Sequence, residues 1–415
     1  MIKIVRTATV PTSLETFCKD LLRELTNEGY EVVAVSSPGE DMVIIAEREG
    51  VRVVEVPMER HISPLKDFVS LFKMTKVMLQ EKPDMVHSMT PKAGLITMIA
   101  AWIACVPVRI HTFTGLVWPT ATGLSRKILM TTDWITCACA THVIPEGEGV
   151  KADLAAHITK KPMKVLGYGN VRGIDLSHYV RKNGNYNENS HVDGALTFLF
   201  VGRLVRDKGI NELVKAFAKL WLEVRGKRLE NEAFTTELKL ILVGSEEPEL
   251  DPLLPETKRM IEECPGIEAV GTQKDVRPWM EKSDVLAFPS YREGFPNVVI
   301  EAGAMDLPCI VTDINGSREI IISENENHNG NENCSAESDR DNSISHSEQM
   351  KICDNGVIIP SQNEEALYEA MKWMIEHPEE RQSMSKNARS MVASRFEQSY
   401  VRQCLKDFYK EILNS

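Results

Sequence analysis

Short apolar runs alternate with amphipathic stretches along the first 180 residues. The spacing of apolar residues predicts helices over residues 14–28, 42–48 and 64–80. The apolar runs predicted to be strands are IKIVRTATV, EVVAVSS, VRVVEVP, MVHSM and VRIHTF. Continuous apolar strands separated by helices indicate a parallel sheet covered on both faces, so the pattern predicts a doubly wound α/β domain.

The same alternation restarts near residue 195. The predicted strands are LTFLFVG, LKLILVG, GIEAVG, DVLAFPS, PCIVTD and GVIIP. The predicted helices between and after them cover residues 210–222, 255–264, 276–282, 297–304 and 364–376. The fold class is therefore α/β, with two Rossmann-like domains facing across a cleft and ligands bound where the strands end.

Polar stretches without periodicity mark the domain limits. Residues 181–195 form the predicted linker between an N-terminal domain, 1–182, and a C-terminal domain, 195–395. The last segment, 396–415, contains a helix expected to pack back on the first domain. Residues 323–350 carry seven acidic residues and one arginine, and we expect a disordered surface insertion rather than a functional lid.

Composition narrows the class of protein. The net charge of −12 argues against a nucleic-acid partner. Residues 1–180 carry 20 basic against 19 acidic residues and the remainder 28 against 41, so basic patches are expected on the first half only. We expect no signal peptide, and the most apolar window, 94–108, is too short to span a bilayer. Cysteine and histidine are scattered, so neither a metal site nor a cofactor is expected.

A Gly/Pro loop and the helix after it hold the strongest candidate chemistry. Glu293 lies in the loop and can accept hydrogen bonds from sugar hydroxyls, while Glu301, on the first turns of the helix, suits the hydroxyls of a ribose. The helix N-terminus suits a diphosphate and is formed by Phe295, Pro296, Asn297 and Val298. Spacing alone favours the alternative, in which the acids merely complement the helix dipole.

Two further strand ends of the second half carry candidate residues. Arg203 and Lys208 stand between a strand and a helix and could converge on an anion, although two surface cations in a solvated turn are an equal alternative. A turn before Glu319 does not by itself indicate a binding site, since a turn is expected between a strand and a helix. Strands that end in glycine give three candidate donor-binding positions, Gly202, Gly244 and Gly271.

Two histidines of the first half, His87 and His111, each lie near the end of a predicted strand. A single histidine is more often packed or hydrogen-bonded than catalytic. Two at the edge that faces the cleft are candidates to donate a hydrogen bond to a sugar or to steady a developing charge.

These residues together resemble glycosyltransferase family 4, whose members are retaining enzymes of GT-B fold. Glu293 and Glu301 match the family's Glu-x7-Glu element, and Arg203 and Lys208 match its diphosphate-binding pair. Glu319 matches its helical glutamate after a glycine turn. The resemblance implies a nucleotide-sugar donor, usually a UDP-sugar. Because the sequence shows no HExxH motif and its cysteines and histidines are scattered, we expect transfer without a metal ion.

The first half is similar to bacterial capsular and O-antigen enzymes that act on undecaprenyl-diphosphate-linked sugars. The resemblance implies that His111 lies near the transferred sugar, that Thr114 and Gly115 line the cleft, and that Lys92 contacts the acceptor diphosphate. One departure is the loop TVPTSLE, where many relatives have a Gly-Gly pair. The implied location is cytoplasmic, peripheral on the inner face of the cytoplasmic membrane.

The stretch 64–80 could provide that membrane contact. Its apolar residues recur near helical spacing and are Leu65, Phe68, Val69, Phe72 and Leu79. Lys66, Lys73 and Lys76 flank them, as in helices that lie on anionic headgroups. For the apolar stripe itself we favour burial against the sheet, which leaves the lysines to supply a weak attraction.

Two other functions remain open at this point. A nucleotide-sugar epimerase of GT-B architecture would share both domains, but the Glu-x7-Glu element argues against it. A silent partner subunit that only binds sugar nucleotide need not keep Arg203, Lys208, Glu293 and Glu301 together.

Overall fold

A computed structural model describes residues 1–59, 63–181, 195–230, 237–249, 251–323 and 350–414. The chain forms two compact units. Unit 1 contains Met1–Gly173 together with Gln398–Ser415, and unit 2 contains Ile174–Glu397. The predicted linker at 181–195 and the predicted insertion at 323–350 lie outside the described residues, apart from their end positions.

Unit 1 is built on a six-stranded parallel sheet in the order β3-β2-β1-β4-β5-β6. The strands are β1 (Lys3–Thr7), β2 (Glu31–Ser36), β3 (Arg52–Glu55), β4 (Met85–Met89), β5 (Val108–Phe113) and β6 (His142–Pro145). The five strands predicted from the apolar runs are all present, and β6 is an addition at the edge. The strand order reverses between β1 and β4, as in a doubly wound domain.

Helices cover both faces of this sheet. They are α1 (Pro11–Cys18), α2 (Leu21–Asn27), α3 (Glu40–Glu49), α4 (Pro64–Glu81), α5 (Pro91–Ile103), α6 (Gly123–Cys139), α7 (Glu148–His157) and α15 (Gln398–Leu413). One core joins α4, α5, α6 and α7 to the sheet, and a second core joins α1, α2, α3 and α15 to the opposite face. The prediction of one helix over 14–28 is wrong, because Asp20 adopts φ +61° and separates α1 from α2.

The apolar stripe of α4 does not face the sheet. The helix buries Ser70, Met74, Val77 and Met78 instead. The residues it exposes include Leu65, Phe68, Val69, Phe72 and Leu79. Our expectation that this stripe is buried is therefore wrong, since helical spacing alone does not tell which side of a helix meets the core.

The last helix, α15, completes unit 1 through charged and buried contacts. At its surface, Arg402 and Lys406 form ion pairs with Glu24 of α2 at 2.6 and 3.2 Å. At its buried end, the Tyr409 hydroxyl accepts a hydrogen bond from Arg6 Nη1 at 2.5 Å and lies 2.5 Å from His87 Nδ1. The C-terminal segment is thus part of the second core of unit 1, with α1, α2 and α3.

Unit 2 has a seven-stranded sheet in the order β12-β13-β11-β10-β7-β8-β9, in which only β12 runs antiparallel to its neighbour. Its strands are β7 (Ala195–Val201), β8 (Glu237–Val243), β9 (Ile267–Gly271), β10 (Val285–Phe288), β11 (Cys309–Thr312), β12 (Lys351–Cys353) and β13 (Gly356–Ile359). Its helices are α8 (Ile210–Glu230), α9 (Pro255–Glu263), α10 (Arg277–Glu281), α11 (Asn297–Ala304), α12 (Ser317–Ile320), α13 (Glu364–Glu376) and α14 (Pro378–Phe396). Each unit is Rossmann-like, as predicted.

None of the helices within the described ranges combines the length and the apolar character that a bilayer span requires.

We predict that Tyr409→Phe destabilises unit 1 by about 1–3 kcal/mol, the usual cost of leaving a buried polar group unpaired. The buried Arg6 guanidinium loses an acceptor in this variant, and among the described residues no carboxylate forms an ion pair with Arg6. Hydrogen exchange of the β1 and β4 amides measures the loss. Tyr30→Phe, at a partly exposed site of the same unit, is the control. Equal protection in the two variants would contradict the role given to the Tyr409 hydroxyl.

Candidate functional site

Three loops at the carboxyl edge of the unit 2 sheet follow three neighbouring strands. β7 leads into residues 202–209, β10 into residues 289–296, and β11 into residues 313–316. In the sheet, β10 lies between β11 and β7. The three segments that the sequence singled out therefore lie side by side, because the carboxyl ends of parallel strands share one edge.

The first two loops are joined by a close backbone approach. Gly209 has φ +71°, and a Cβ built on it would lie 2.1 Å from the carbonyl oxygen of Pro289. The Tyr291 amide donates to the Asp207 carbonyl at 2.9 Å, and Arg292 Nε lies 3.2 Å from Asp207 Oδ2. These contacts fix the end of the first loop against the second.

Lys208 and Glu293 meet where these loops join. The ammonium donates a hydrogen bond to Glu293 Oε1, and both side chains are only 16% exposed. Lys208 Nζ also lies 5.4 Å from the centre of the Phe288 ring, within cation–π range. The pair therefore places a cation and a carboxylate together at the strand ends with little access to water.

Arg203 has a different partner. Its Nη1 donates to Glu247 Oε2 at 2.6 Å, and half of the Arg203 side chain is exposed. Glu247 follows β8, on the other side of β7 from β10. Arg203 and Lys208 thus stand on one loop, but each has its own carboxylate. Sequence reasoning missed Glu247, although its position just after the strand LKLILVG was a signal.

The N-terminus of α11 forms the next part of this edge. The Phe295 ring is buried and packs 5.4 Å from Phe396, and Pro296 precedes the first turn. Asn297 and Val298 begin the helix and are partly exposed, whereas Glu301 is buried. An anion at this end would meet backbone groups and the positive end of the helix dipole rather than the Phe295 side chain.

The third loop packs tightly on the second. Gly316 has φ +74°, and a Cβ there would lie 2.3 Å from the Gly294 carbonyl oxygen and 2.7 Å from Phe295 Cα. The Gly316 amide donates to Glu319 Oε1 at 3.2 Å. In this structure Glu319 thus caps the turn that supports the Glu293 loop.

The three predicted donor-binding glycines lie on adjacent strand ends. Gly202, Gly244 and Gly271 end or follow β7, β8 and β9. The Gly202 amide donates to the Val243 carbonyl and the Gly244 amide to the Gly271 carbonyl, both at 2.9 Å. Hydrogen bonds therefore continue from strand to strand into the loops.

The two histidines of unit 1 do not converge. His87 Nδ1 lies beside Arg6 and Tyr409, and its Nε2 lies 2.7 Å from Thr112 Oγ1. Since Arg6 can only donate, Nδ1 accepts and Nε2 carries the proton. His111 lies on the opposite face of the sheet, 2.8 Å from Ser88 Oγ. The expectation that both imidazoles face an open edge is wrong, and burial lowers the pKa of each.

His111 is enclosed by α5. A Cβ on Gly94 would lie 2.2 Å from His111 Cε1, and the ring of Phe113 packs edge-on at 4.5 Å. The side chain is 1% exposed, and burial lowers its pKa to about 3. Its implied role beside the transferred sugar stays a prediction, and the ring is neutral in this position.

The predicted acceptor residues lie on two separate features of unit 1. Lys92, on the first turn of α5, forms an ion pair with Asp67 of α4 at 2.5 Å. Thr114 and Gly115 follow β5 and are partly exposed. The loop that departs from the Gly-Gly pattern is held by hydrogen bonds, because Thr9 Oγ1 lies 2.7 Å from Thr90 Oγ1.

Across the described ranges, no group of three or more His, Cys, Asp or Glu side chains is arranged to hold a metal ion. The two cations that the sequence singled out, Arg203 and Lys208, both lie on the loop after β7.

Two family models match the chain in succession. The model described as Glycosyltransferase Family 4 matches residues 14–169, and the model described as Glycosyl transferases group 1 matches residues 195–377. The first match lies within unit 1 and the second within unit 2.

The chain is also similar to named proteins over much of its length. It is 28% identical over 415 positions to the capsular polysaccharide biosynthesis glycosyltransferase CapM of Staphylococcus aureus, covering 99% of this chain and 97% of CapM. It is 28% identical over 288 positions to the Escherichia coli UDP-Gal:alpha-D-GlcNAc-diphosphoundecaprenol alpha-1,3-galactosyltransferase, covering 66% and 70%.

Among solved structures, Anabaena HepE in complex with UDP and glucose superimposes with a TM-score of 0.72 at 16% identity, covering 99% of this chain and all of that one. This likeness concerns the fold.

We predict that removing His111 flattens the pH dependence of unit 1 stability. The native ring stays neutral down to a pKa of about 3, whereas an unfolded imidazole takes up a proton below about pH 6.5. Stability is thus fully present above pH 6.5 and falls by up to about 1.4 kcal/mol per pH unit below it.

Hydrogen exchange of β4 and β5 amides between pH 7 and pH 5, corrected for intrinsic rates, gives this slope. In His111→Gln this slope should be smaller, because unfolding then takes up about one proton fewer. Ser88→Ala keeps the ring but removes its hydrogen-bond partner, so it should keep the wild-type slope. A wild-type slope in His111→Gln would contradict the prediction.

Proposed function

Because the chain belongs to the family 4 glycosyltransferases, we propose that it moves a sugar from a UDP-sugar to a saccharide linked to undecaprenyl diphosphate. The product is then a precursor of a bacterial surface polysaccharide such as a capsule. The activities named for the two relatives, CapM and the Escherichia coli galactosyltransferase, support this choice of donor, acceptor and pathway. The glycosyltransferase activity predicted from the sequence is confirmed.

The observation that carries the proposal is the Lys208–Glu293 pair beside the N-terminus of α11. A diphosphate would receive the positive charge of Lys208 and Arg203 together with the helix dipole. Glu293 would accept hydrogen bonds from hydroxyls of the donor sugar, and Glu301 from the ribose. The charge needed by the leaving group comes from the protein in this arrangement, so we propose transfer without a metal ion.

We propose that the sugar keeps its anomeric configuration through front-face attack. The acceptor oxygen forms a bond to the anomeric carbon while the bond from that carbon to the diphosphate oxygen breaks. The acceptor proton passes to the departing phosphate oxygen. Lys208 and Arg203 steady the charge that develops on the diphosphate, which is where fixed cations have their largest effect.

The substrates place the enzyme at the cytoplasmic face of the inner membrane, because an undecaprenyl-linked acceptor is anchored there while the nucleotide-sugar is dissolved. The proposed partners are therefore the two substrates and the membrane surface.

The test is an assay with a panel of donors. UDP-, GDP- and dTDP-sugars are first ranked by the rise they cause in melting temperature, since a ligand of the native state stabilises it. Donors that bind are then incubated with undecaprenyl-diphosphate-linked N-acetylglucosamine, in the presence and absence of EDTA. NMR of the product gives the anomeric configuration. Donor turnover without acceptor would favour epimerisation, and loss of activity in EDTA would contradict the metal-free mechanism.

We predict that Lys208→Ala and Glu293→Ala each lower the transfer rate by roughly 100-fold or more, as loss of a preorganised charge does in other active sites. Lys258→Ala is a matched control, because Lys258 forms an exposed 2.5 Å ion pair with Glu246 in the same unit. Circular dichroism checks the fold of each variant. Full activity in either site variant would overturn the assignment of this pair.

We predict that Glu247→Gln tightens binding of the UDP-sugar. Glu247 holds the Arg203 guanidinium in the free protein, and a diphosphate has to compete with it. An exposed ion pair of this kind contributes at most about 1 kcal/mol, so the gain in affinity is up to about fivefold. Titration calorimetry measures it, with Glu246→Gln as the neighbouring control. Unchanged or weaker binding in Glu247→Gln would mean that Glu247 does not compete with the donor.

A further inference from the structure

Of the 21 large apolar side chains that the described residues expose, ten lie on one face of unit 1. The helices α4, α5 and α6 lie next to one another on the same face of the sheet. Together they expose ten large apolar side chains: Leu65, Phe68, Val69, Phe72, Leu79, Trp102, Ile103, Leu124, Ile128 and Trp134. We call this surface the three-helix face. Protein surfaces ordinarily carry exposed apolar residues that are scattered singly, whereas the ten on this face are concentrated on adjacent helices.

The aromatic residues make the pattern specific. Every exposed phenylalanine or tryptophan among the described side chains lies on these three helices, two on α4, one on α5 and one on α6. Phe68 is 71% exposed, Phe72 69% and Leu124 73%. Phenylalanine and leucine can enter the acyl region of a bilayer, while tryptophan prefers the level of the headgroups.

The charge of the same helices has the sign that anionic lipids attract. The segments of α4, α5 and α6 contain six basic and three acidic residues, in a chain whose net charge is −12. Within the part of the chain that the structure describes, Lys73, Lys76 and Lys127 form no ion pair. They remain available to phosphate groups of lipids.

Each of the three helices also has a buried side, so the exposed apolar residues are not core residues that lack a partner. α4 packs Met74, Val77 and Met78 into the core, α5 packs Ile96 and α6 packs Cys137. Each helix thus already has a buried side against the sheet, and its outward side carries apolar residues as well. A helix needs only one apolar side to pack against its own core, so the outward side is suited to a second apolar phase.

We propose that the three-helix face is a bilayer-contact surface, which inserts Phe68, Phe72 and Leu124 among the acyl chains of an anionic membrane with lysines at the headgroups. This proposal deepens the membrane location proposed above and names the surface responsible for it. Binding to vesicles needs neither donor nor acceptor, so it can succeed or fail independently of glycosyl transfer.

The experiment is flotation of the full chain with vesicles of phosphatidylcholine alone, or with added phosphatidylglycerol. We expect binding to the anionic vesicles that weakens as salt rises but does not vanish, because apolar insertion is insensitive to screening. The double variant Phe68→Ser/Phe72→Ser should lose roughly tenfold or more of its partitioning, the effect of removing two buried aromatic contacts. Lys73→Glu/Lys76→Glu should lose the preference for anionic vesicles.

Matched controls keep the test specific. Val43→Ser/Ile44→Ser removes two exposed apolar residues from α3, on the opposite face of the sheet, and should bind as the wild type does. Lys160→Glu/Lys386→Glu changes the net charge by the same amount at exposed sites outside the three helices. Both controls should keep wild-type partitioning.

Three outcomes would overturn the proposal. The first is no flotation of the wild type with anionic vesicles, and the second is equal losses in the test and control variants. The third is a wild-type dimer in light scattering that becomes monomeric in Phe68→Ser/Phe72→Ser without any vesicle binding. That last result would assign the three-helix face to a second copy of the chain.

Discussion

The contact between Gly209 and the Pro289 carbonyl brings the loop of Lys208 against the loop of Glu293. No side chain fits at position 209, so the loop after β7 can lie directly on the loop after β10. This close approach brings Lys208 and Glu293 together, because each residue lies only a few positions from the contact. Gly316 repeats the arrangement on the other side of the second loop, where it touches Gly294 and Phe295. Close backbone packing on both sides of the second loop thus accompanies the contact between the two charges.

The sequence was sufficient to predict that these three loops lie side by side, for a topological reason. Strands predicted from apolar runs end at the loops that carry Arg203 and Glu293 and at the loop that precedes Glu319. Parallel strands place their ends at one edge. The helices 297–304 and 364–376 have the predicted bounds. Asn363 caps the second with a hydrogen bond to the Ala366 amide. The bounds of these helices can be predicted from neighbouring residues alone, without knowing which distant residues they contact.

Other features depend on contacts that a linear pattern does not contain. In the register of β4 and β5, His87 stands opposite Ile110 and Ser88 opposite His111. Side chains alternate along a strand, so this register sends the two histidines to opposite faces. The pairing of Arg203 with Glu247 depends on β8 lying beside β7, an order that the sequence does not state. The outward direction of the α4 stripe likewise depends on which residues the neighbouring helix covers.

The assignment of α15 to unit 1 has a consequence for how the chain folds during synthesis. Unit 2 is continuous in sequence, whereas unit 1 is interrupted between Gly173 and Gln398 and needs both parts. While the ribosome is still making residues 174–397, the Arg6 guanidinium lacks Tyr409, and Glu24 lacks Arg402 and Lys406. The first unit to be synthesised is therefore the last to be completed. Loss of the C-terminal helix at the end of the chain damages the unit that begins it.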